Sequence, residues 1–415
     1  MTRLRILCVL LLLPIGCTYQ QPGTEIVPES YPVRDDFLVR SAPKPTPSGW
    51  YQPGFPPLVL LRQPPDTFSD ETKALQREVG SSINDGRKLS KDDRTSFADA
   101  LTQWFGTPSQ PKIEPVSSEI QQAITELRLD SASIIQGGEV FRKNCMDCHG
   151  LTGNGDGAGA RGLVPLPRDY RQGVFKFISS DDPKSAAVPK DRCGPKARRS
   201  DLRGTIVRGI DGSMPAFVLL SEDEIDAVIS HVIYLAIRGE AEYLTMLAWV
   251  REENEEDEVI AEMKLNLQTI VPRWLKAERA PIVVEPNPYL SEEQQLSAAS
   301  NGYALFHTIG GCTACHKDYG RNSPFVYDVW AGINRARNLP LGQFRGGRDG
   351  ESIYTRLYIG IAGSGMPAHH TVLKSTPEDV EVGRNKLWEM THFVRALSDP
   401  QQRLALQTRY GVKLD

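Results

Sequence analysis

The chain has 415 residues, of which 40% are hydrophobic and 24% charged. That ordinary globular composition excludes disorder of the chain as a whole, and the length fits two to four domains at roughly 100 to 200 residues each. The 35 glycines and 30 prolines favour loops and turns over long regular sheets, and a net charge of -4 excludes bulk electrostatic attraction to nucleic acid or to an anionic membrane.

Arg3 and Arg5 precede the apolar run Ile6 to Leu13, the pattern of an export signal and too short for a spanning helix. The run ends in PIGC (14–17), which resembles the lipobox of bacterial lipoproteins with Cys17 as the lipidated residue, although Pro14 stands where that family usually has leucine. The alternative is plain secretion with Cys17 an ordinary thiol. Either way residues 1–17 read as a signal, and the protein is expected outside the cytosol, held by a lipid on the periplasmic face of a membrane. Eleven prolines fall within residues 22–66, so 18–66 reads as an extended linker between anchor and body. Residues 67–130 form a helical accessory region, for example at DDRTSFADALTQWF (92–105).

Four of the seven cysteines fall in CMDCH (145–149) and CTACH (312–316), two copies of CxxCH, the pattern of c-type haem attachment. Cysteines three apart on a helical turn share one face, where their sulfurs reach two carbons of one porphyrin. His149 or His316, immediately after, is then held beneath the iron. Structural zinc is the first alternative, but two CxxC pairs 167 residues apart suit a four-ligand site poorly. Disulfides are natural in an exported chain yet leave the adjacent histidines unexplained.

Only Met214 and Met366 among the seven methionines precede proline, in RGIDGSMPAF (208–217) and IGIAGSGMPAHH (359–370). Glycine lets a turn approach the porphyrin and proline stiffens the backbone presenting the sulfur, so both are candidate sixth ligands; a thioether ligand raises the reduction potential. His369 and His370 stand near Met366 as rivals. The surroundings repeat as well. Gly137 or Gly138 with Phe141 corresponds to Gly302 with Phe306. Beyond each methionine comes a capped amphipathic helix: Ser221 and Glu224 as a capping box before Ile225, Val228, Ile229, Val232, Ile233 and Ala236, and Thr376 with Pro377 before Leu387, Met390, Val394 and Leu397.

This order resembles class I c-type cytochromes over 131–240 and 291–400. The resemblance implies a mostly α chain of two cytochrome c-like helical domains in tandem, joined by a helical connector and proline linker (241–290) and followed by a C-terminal tail (401–415). It implies two haem c groups bound through Cys145, Cys148, Cys312 and Cys315, with His149 and Met214 on one iron and His316 and Met366 on the other, each passing one electron at a time. His231 and His392, matched between ISHVIYL and MTHFVRAL, read as core histidines. Pro165 or Pro167 is expected to offer the carbonyl that orients the first proximal ring, with NLPLGQFRGG (338–347) in the similar place of the second copy. Lys184, Lys190, Arg192, Lys196, Arg198, Arg199 and Arg203 are either a solvated loop or a docking patch for an acidic partner. Cys193 remains a lone thiol, and EENEED (252–257) reads as a solvated helix face.

The function expected is that of a dihaem electron carrier, not an enzyme, in a bacterial respiratory chain. Its redox partners would be a quinol-oxidising complex or dehydrogenase on one side and a terminal oxidase or carrier on the other, with no role for nucleic acid. The alternatives are a dihaem cytochrome c peroxidase, which needs one iron face open, and a fixed electron-transfer subunit of a larger oxidoreductase.

Overall fold

A computed structural model of the chain describes residues 27–34, 91–160, 163, 167–181, 195–251, 256–327 and 333–414. The expected export signal and Cys17 lie outside these residues, as do Pro165, Lys184, Lys190, Arg192, Cys193 and most of the acidic run. Among the described residues the fold is mostly α, with one two-stranded antiparallel ribbon, β1 (Phe325–Tyr327) and β2 (Ile333–Arg335). No helix of the described residues is long and apolar enough to cross a membrane.

The first half is organised by two helices that cross. α3 (Ser131–Asn144) starts at Asp130, whose carboxylate accepts from the Ser133 amide, and runs to Cys145; the short turn α4 (Met146–His149) carries the first CxxCH. α6 (Glu222–Arg251) begins at the expected capping box: Ser221 N donates to Glu224 Oε2 at 2.8 Å and Glu224 N to Ser221 Oγ at 3.2 Å. Its expected stripe, Ile225 through Ala236, is buried throughout. The two helices meet at Gly137, where a β-carbon would stand 2.0 Å from the Ala227 carbonyl oxygen. The second half repeats the crossing. α8 (Glu292–His307) meets α11 (Lys386–Ser398) at Gly302, where a β-carbon would stand 2.2 Å from the Glu389 oxygen. Backbone thus touches backbone at both crossings, and Gly137 rather than Gly138 is the counterpart of Gly302. Past each glycine, Phe141 and Phe306 are fully buried in their cores.

The crossing also fixes which later residues correspond. Beyond Ala227 and Glu389 the next contact of each glycine is the β-carbon of His231 and of Phe393, so His231 matches Phe393, and the His231/His392 pairing read from sequence is one position out of register. Each histidine is engaged: His231 Nδ1 lies 3.2 Å from the Ile134 carbonyl, and His392 Nε2 lies 3.1 Å from Asn287 Oδ1. Burial pushes the His231 imidazole down to about 4, against about 6.5 in an unfolded chain. Between those values the unfolded chain takes up a proton that the folded chain refuses, so this contribution is complete above pH ~6.5 and is lost as pH falls toward 4. A His231→Gln variant is therefore expected to lose less stability on acidification than the parent. The difference in urea unfolding free energy between pH 7 and pH 4.5 should be on the order of 3 kcal/mol smaller, at ~1.36 kcal/mol per pH unit.

Four domain boundaries read from sequence shift. α6 runs past residue 240 to Arg251 and turns into α7 (Glu256–Arg279), while α1 (Lys91–Phe105) and α2 (Ser118–Glu126) fold onto the same core. The accessory region and the helical connector are therefore part of the first domain: Phe97, Phe105, Ile120, Trp274 and Tyr234 share one buried cluster, and Tyr234 donates to the Phe105 carbonyl at 2.8 Å. The described part of the proline tract, 27–34, is not a free linker either. Tyr31 is buried beneath the Arg238 guanidinium at 4.5 Å, and Arg34 N donates to Glu242 Oε1 at 2.8 Å. At the other end, residues 401–414 are no loose tail, because α12 (Pro400–Tyr410) and the four residues after it bury Leu406, Val412 and Leu414 in the second core. The expected second amphipathic helix is broken in two: Thr376 caps the five-residue α10 (Pro377–Glu381), the chain turns at Gly383, and α11 restarts under an Asn385 cap.

The proline linker is clamped between the halves. Asp181 N donates to Ala280 O at 2.7 Å and Ile282 N to Ser179 O at 2.8 Å, while Trp388 Nε1 donates to Glu285 O at 2.7 Å. The domains also touch directly, since Ile359 at the end of α9 (Gly350–Ile359) is buried in the first core and Tyr358 borders both.

Candidate haem sites

The two CxxCH segments fold alike. In the first, Cys148 N and His149 N both donate to Cys145 O, at 3.2 and 2.9 Å; in the second, Cys315 N and His316 N both donate to Cys312 O, at 3.2 and 2.8 Å. One turn therefore gathers the two thiols and swings the histidine inward. Burial pushes the Cys145 thiol up to about 12 and that of Cys312 up to about 11, so these positions suit an uncharged sulfur, thiol or thioether, and disfavour the thiolate that zinc requires. Among the described residues no group of three or more His, Cys, Asp or Glu could hold a metal ion, and Cys145, Cys148, Cys312 and Cys315 are all free of disulfides. The two motifs stay in separate cores.

Each histidine ring is held from behind by a backbone carbonyl. His149 Nδ1 lies 3.2 Å from Arg168 O and His316 Nδ1 lies 3.2 Å from Arg337 O. With Nδ1–H donating to oxygen, Nε2 carries the lone pair and faces away from the carbonyl, the tautomer a ligating imidazole needs. The carbonyl is thus Arg168's, not that of Pro165 or Pro167. Pro165 lies outside the described residues, and the Pro167 oxygen packs against Gly155, where a β-carbon would meet it at 2.4 Å. Tyr170 stacks on the His149 ring at 4.8 Å and 19°. Burial pushes His149 down to about 4 and lowers His316 as well, which keeps both rings neutral and available to a metal.

Each methionine turn hangs from a short helix that the sequence did not reveal, α5 (Arg199–Arg208) in one half and α9 in the other. Gly209 and Gly360 end these helices with φ of 66° and 76°, in the region that disfavours other residues. A β-carbon there would stand 2.6 Å from Met214 O and from Met366 O respectively. Ile210 N then donates to Met214 O at 2.8 Å and Ile361 N to Met366 O at 3.0 Å, so the turns close the same way despite one extra residue in the second. Met214 packs against the first core with Cys145, and Met366 against the second with Cys312.

Of the two rivals to Met366, His370 is otherwise occupied. Its Nδ1 lies 3.1 Å from Tyr358 O and its ring stacks on Tyr358 at 5.0 Å. His369 is buried and its charge would lower the His316 pKa, so it stays the rival to Met366 at the second site. The basic cluster before Met214 is not a docking patch where it is described. Lys196 is buried and donates to both Glu240 oxygens at 2.7 Å and to Gly173 O at 3.1 Å. Arg199 donates to Asp226 Oδ1 and to the Leu127 carbonyl, and Arg203 pairs with Glu222.

The donors present at each site, two cysteine sulfurs one turn apart, an imidazole with its outer nitrogen anchored and a thioether on a glycine-hinged turn, fit a haem c. Residues 132–232 match the model of the family described as "Cytochrome C oxidase, cbb3-type, subunit III", a c-type cytochrome domain, and that match implies a covalently bound haem c and haem-based electron transfer. No curated protein matches the chain. Among solved structures it is similar to a chain of the Kuenenia stuttgartiensis reducing HAO-like protein complex, with 22% identity, 63% of this chain and 95% of that chain covered, and a TM-score of 0.43.

Proposed function

We propose that this chain is a dihaem c-type cytochrome, exported and lipid-anchored through Cys17, that carries single electrons along a bacterial respiratory chain. The supporting observation is the duplication itself: a cysteine turn, a carbonyl-anchored histidine and a glycine-hinged methionine recur in the same order and hydrogen-bond pattern in two separate cores. Cys145 and Cys148 would hold one haem with His149 and Met214 as axial ligands, and Cys312 and Cys315 the other with His316 and Met366. The bound iron supplies the one-electron chemistry. The chain's own residues orient the imidazoles through Arg168 and Arg337, present the methionine sulfurs on glycine-hinged turns, and set both turns against an apolar core. Donor and acceptor are read as a quinol-oxidising complex or dehydrogenase and a terminal oxidase or carrier. A peroxidase needs an iron face without a ligand, and here each half has its own methionine turn, which favours the carrier.

The pyridine haemochrome and the intact mass of the purified mature chain test this together. Two covalent haems per chain are expected, with one remaining in each of the Cys145→Ala/Cys148→Ala and Cys312→Ala/Cys315→Ala variants. One haem or none in the parent, or peroxide consumption above that of free haem, would overturn it.

A further inference from the structure

The seam between the two domains holds more buried positive charge than its acids balance. Arg345, in the loop after the second site's anchoring carbonyl, reaches across the seam, and its Nη2 donates to Ser213 Oγ at 2.9 Å. Ser213 immediately precedes Met214. The Arg345 Nε is buried with no hydrogen-bond partner. Beside it stands Arg337, whose backbone oxygen anchors His316; the two guanidinium groups repel each other, and the one acid that both sense is Asp211 in the Met214 turn. Further along the seam Arg356 lies 5.6 Å from the Phe177 ring centroid of the first domain, with Nε and Nη1 both buried and unpartnered. Its like-charged neighbour is Arg208, and the nearby acids are already engaged: Asp201 accepts from the Ser179 and Arg198 amides, and Asp349 accepts from Ser352. Among the described residues none of these four arginines is in an ion pair.

A buried guanidinium nitrogen without an acceptor costs about 1–3 kcal/mol, more when charged, so three such nitrogens at one interface point to an anionic occupant with planar, paired oxygens, the geometry an arginine fork matches. Resting on the dihaem reading above, we infer that the seam is a carboxylate-binding site shared by the two domains. Arg337, Arg345 and Arg356 of the second domain, with Ser213 and Arg208 of the first, hold the carboxylate side chains of the bound porphyrins. Arg345 then belongs to both centres. It is tied to the residue beside one iron's sulfur ligand and lies next to the residue that anchors the other iron's imidazole, so its charge raises both reduction potentials and each centre senses the other's redox state.

The experiment is a spectroscopic redox titration of the holoprotein and of Arg345→Gln and Arg345→Lys, after the haem content of each has been counted. Failure of the dihaem reading shows in that count; failure of the present inference shows only in the titration. With two haems per chain retained, both midpoints of Arg345→Gln should fall, each by about tenfold in the reduction equilibrium, or ~59 mV for one electron, while Arg345→Lys should recover most of both shifts. Movement of one midpoint alone, of neither, or an equal fall in the lysine variant would overturn the inference.

Discussion

Replacing Gly137 by alanine is expected to unfasten the first domain and leave the second intact. The new methyl would stand 2.0 Å from the Ala227 carbonyl oxygen and 2.9 Å from the His231 β-carbon, and a carbonyl held inside α6 yields little. Alanine gains up to ~1 kcal/mol of helix propensity over glycine, but overpacking costs about 1–3 kcal/mol or more, and overlap with backbone puts this site at the upper end. A net loss of about 2 kcal/mol lowers the melting temperature of a domain of this size by about 4–8 °C. Haem content should fall toward one per chain, the loss tracing to Cys145 and Cys148 by peptide mapping. Gly138→Ala is the control one residue away. Its β-carbon meets the His231 ring at 3.1 Å, a side chain that can yield, so stability should change by less than ~1 kcal/mol. If Gly138→Ala were the more damaging of the two, the crossing described above would be wrong.

The two methionines are expected to respond differently to removal, because among the described residues the second site alone has a candidate spare ligand. Met214→Ala should open one iron to water and exogenous ligands and turn it high-spin. Met366→Ala should stay six-coordinate and low-spin, with His369, buried and electrostatically coupled to His316, taking the vacated position. Since a thioether favours reduced iron relative to an imidazole, that exchange lowers the second midpoint by on the order of 100 mV, within the ~0.8 V that axial ligation spans. Met366→Ala/His369→Ala should then behave like Met214→Ala. Electron paramagnetic resonance and carbon monoxide binding distinguish the cases. A high-spin Met366→Ala single variant would remove His369 from the site.

The basic cluster shows why surface arguments from sequence fail where motif arguments succeed. Lys196 is one of seven cationic residues within a twenty-residue stretch, and charge runs are usually solvated. Here α6 runs on past its crossing at Ala227 and brings Glu240 beneath the loop, so Lys196 is buried against it. Removing one partner of such a pair strands a charge in the interior. Nothing within the cluster itself announces a partner 44 residues away.

What the sequence by itself determined is everything set by local spacing: the cysteines one turn apart, the histidine that follows them, the glycine and proline that shape each methionine turn, and the capping boxes. Those features are governed by bonds spanning a few residues, so the order of side chains is enough to foresee them. Only the tertiary structure decided which carbonyl orients each imidazole, which glycine lies at the crossing, and that residues 27–34, both accessory helices and the long α6–α7 hairpin form one body with the first site. It also decided that arginines from one half end beneath the methionine turn of the other. Each of these depends on which surfaces meet when apolar stripes on separate segments are buried together, and that burial is a property of the whole chain, invisible in any single stretch of it.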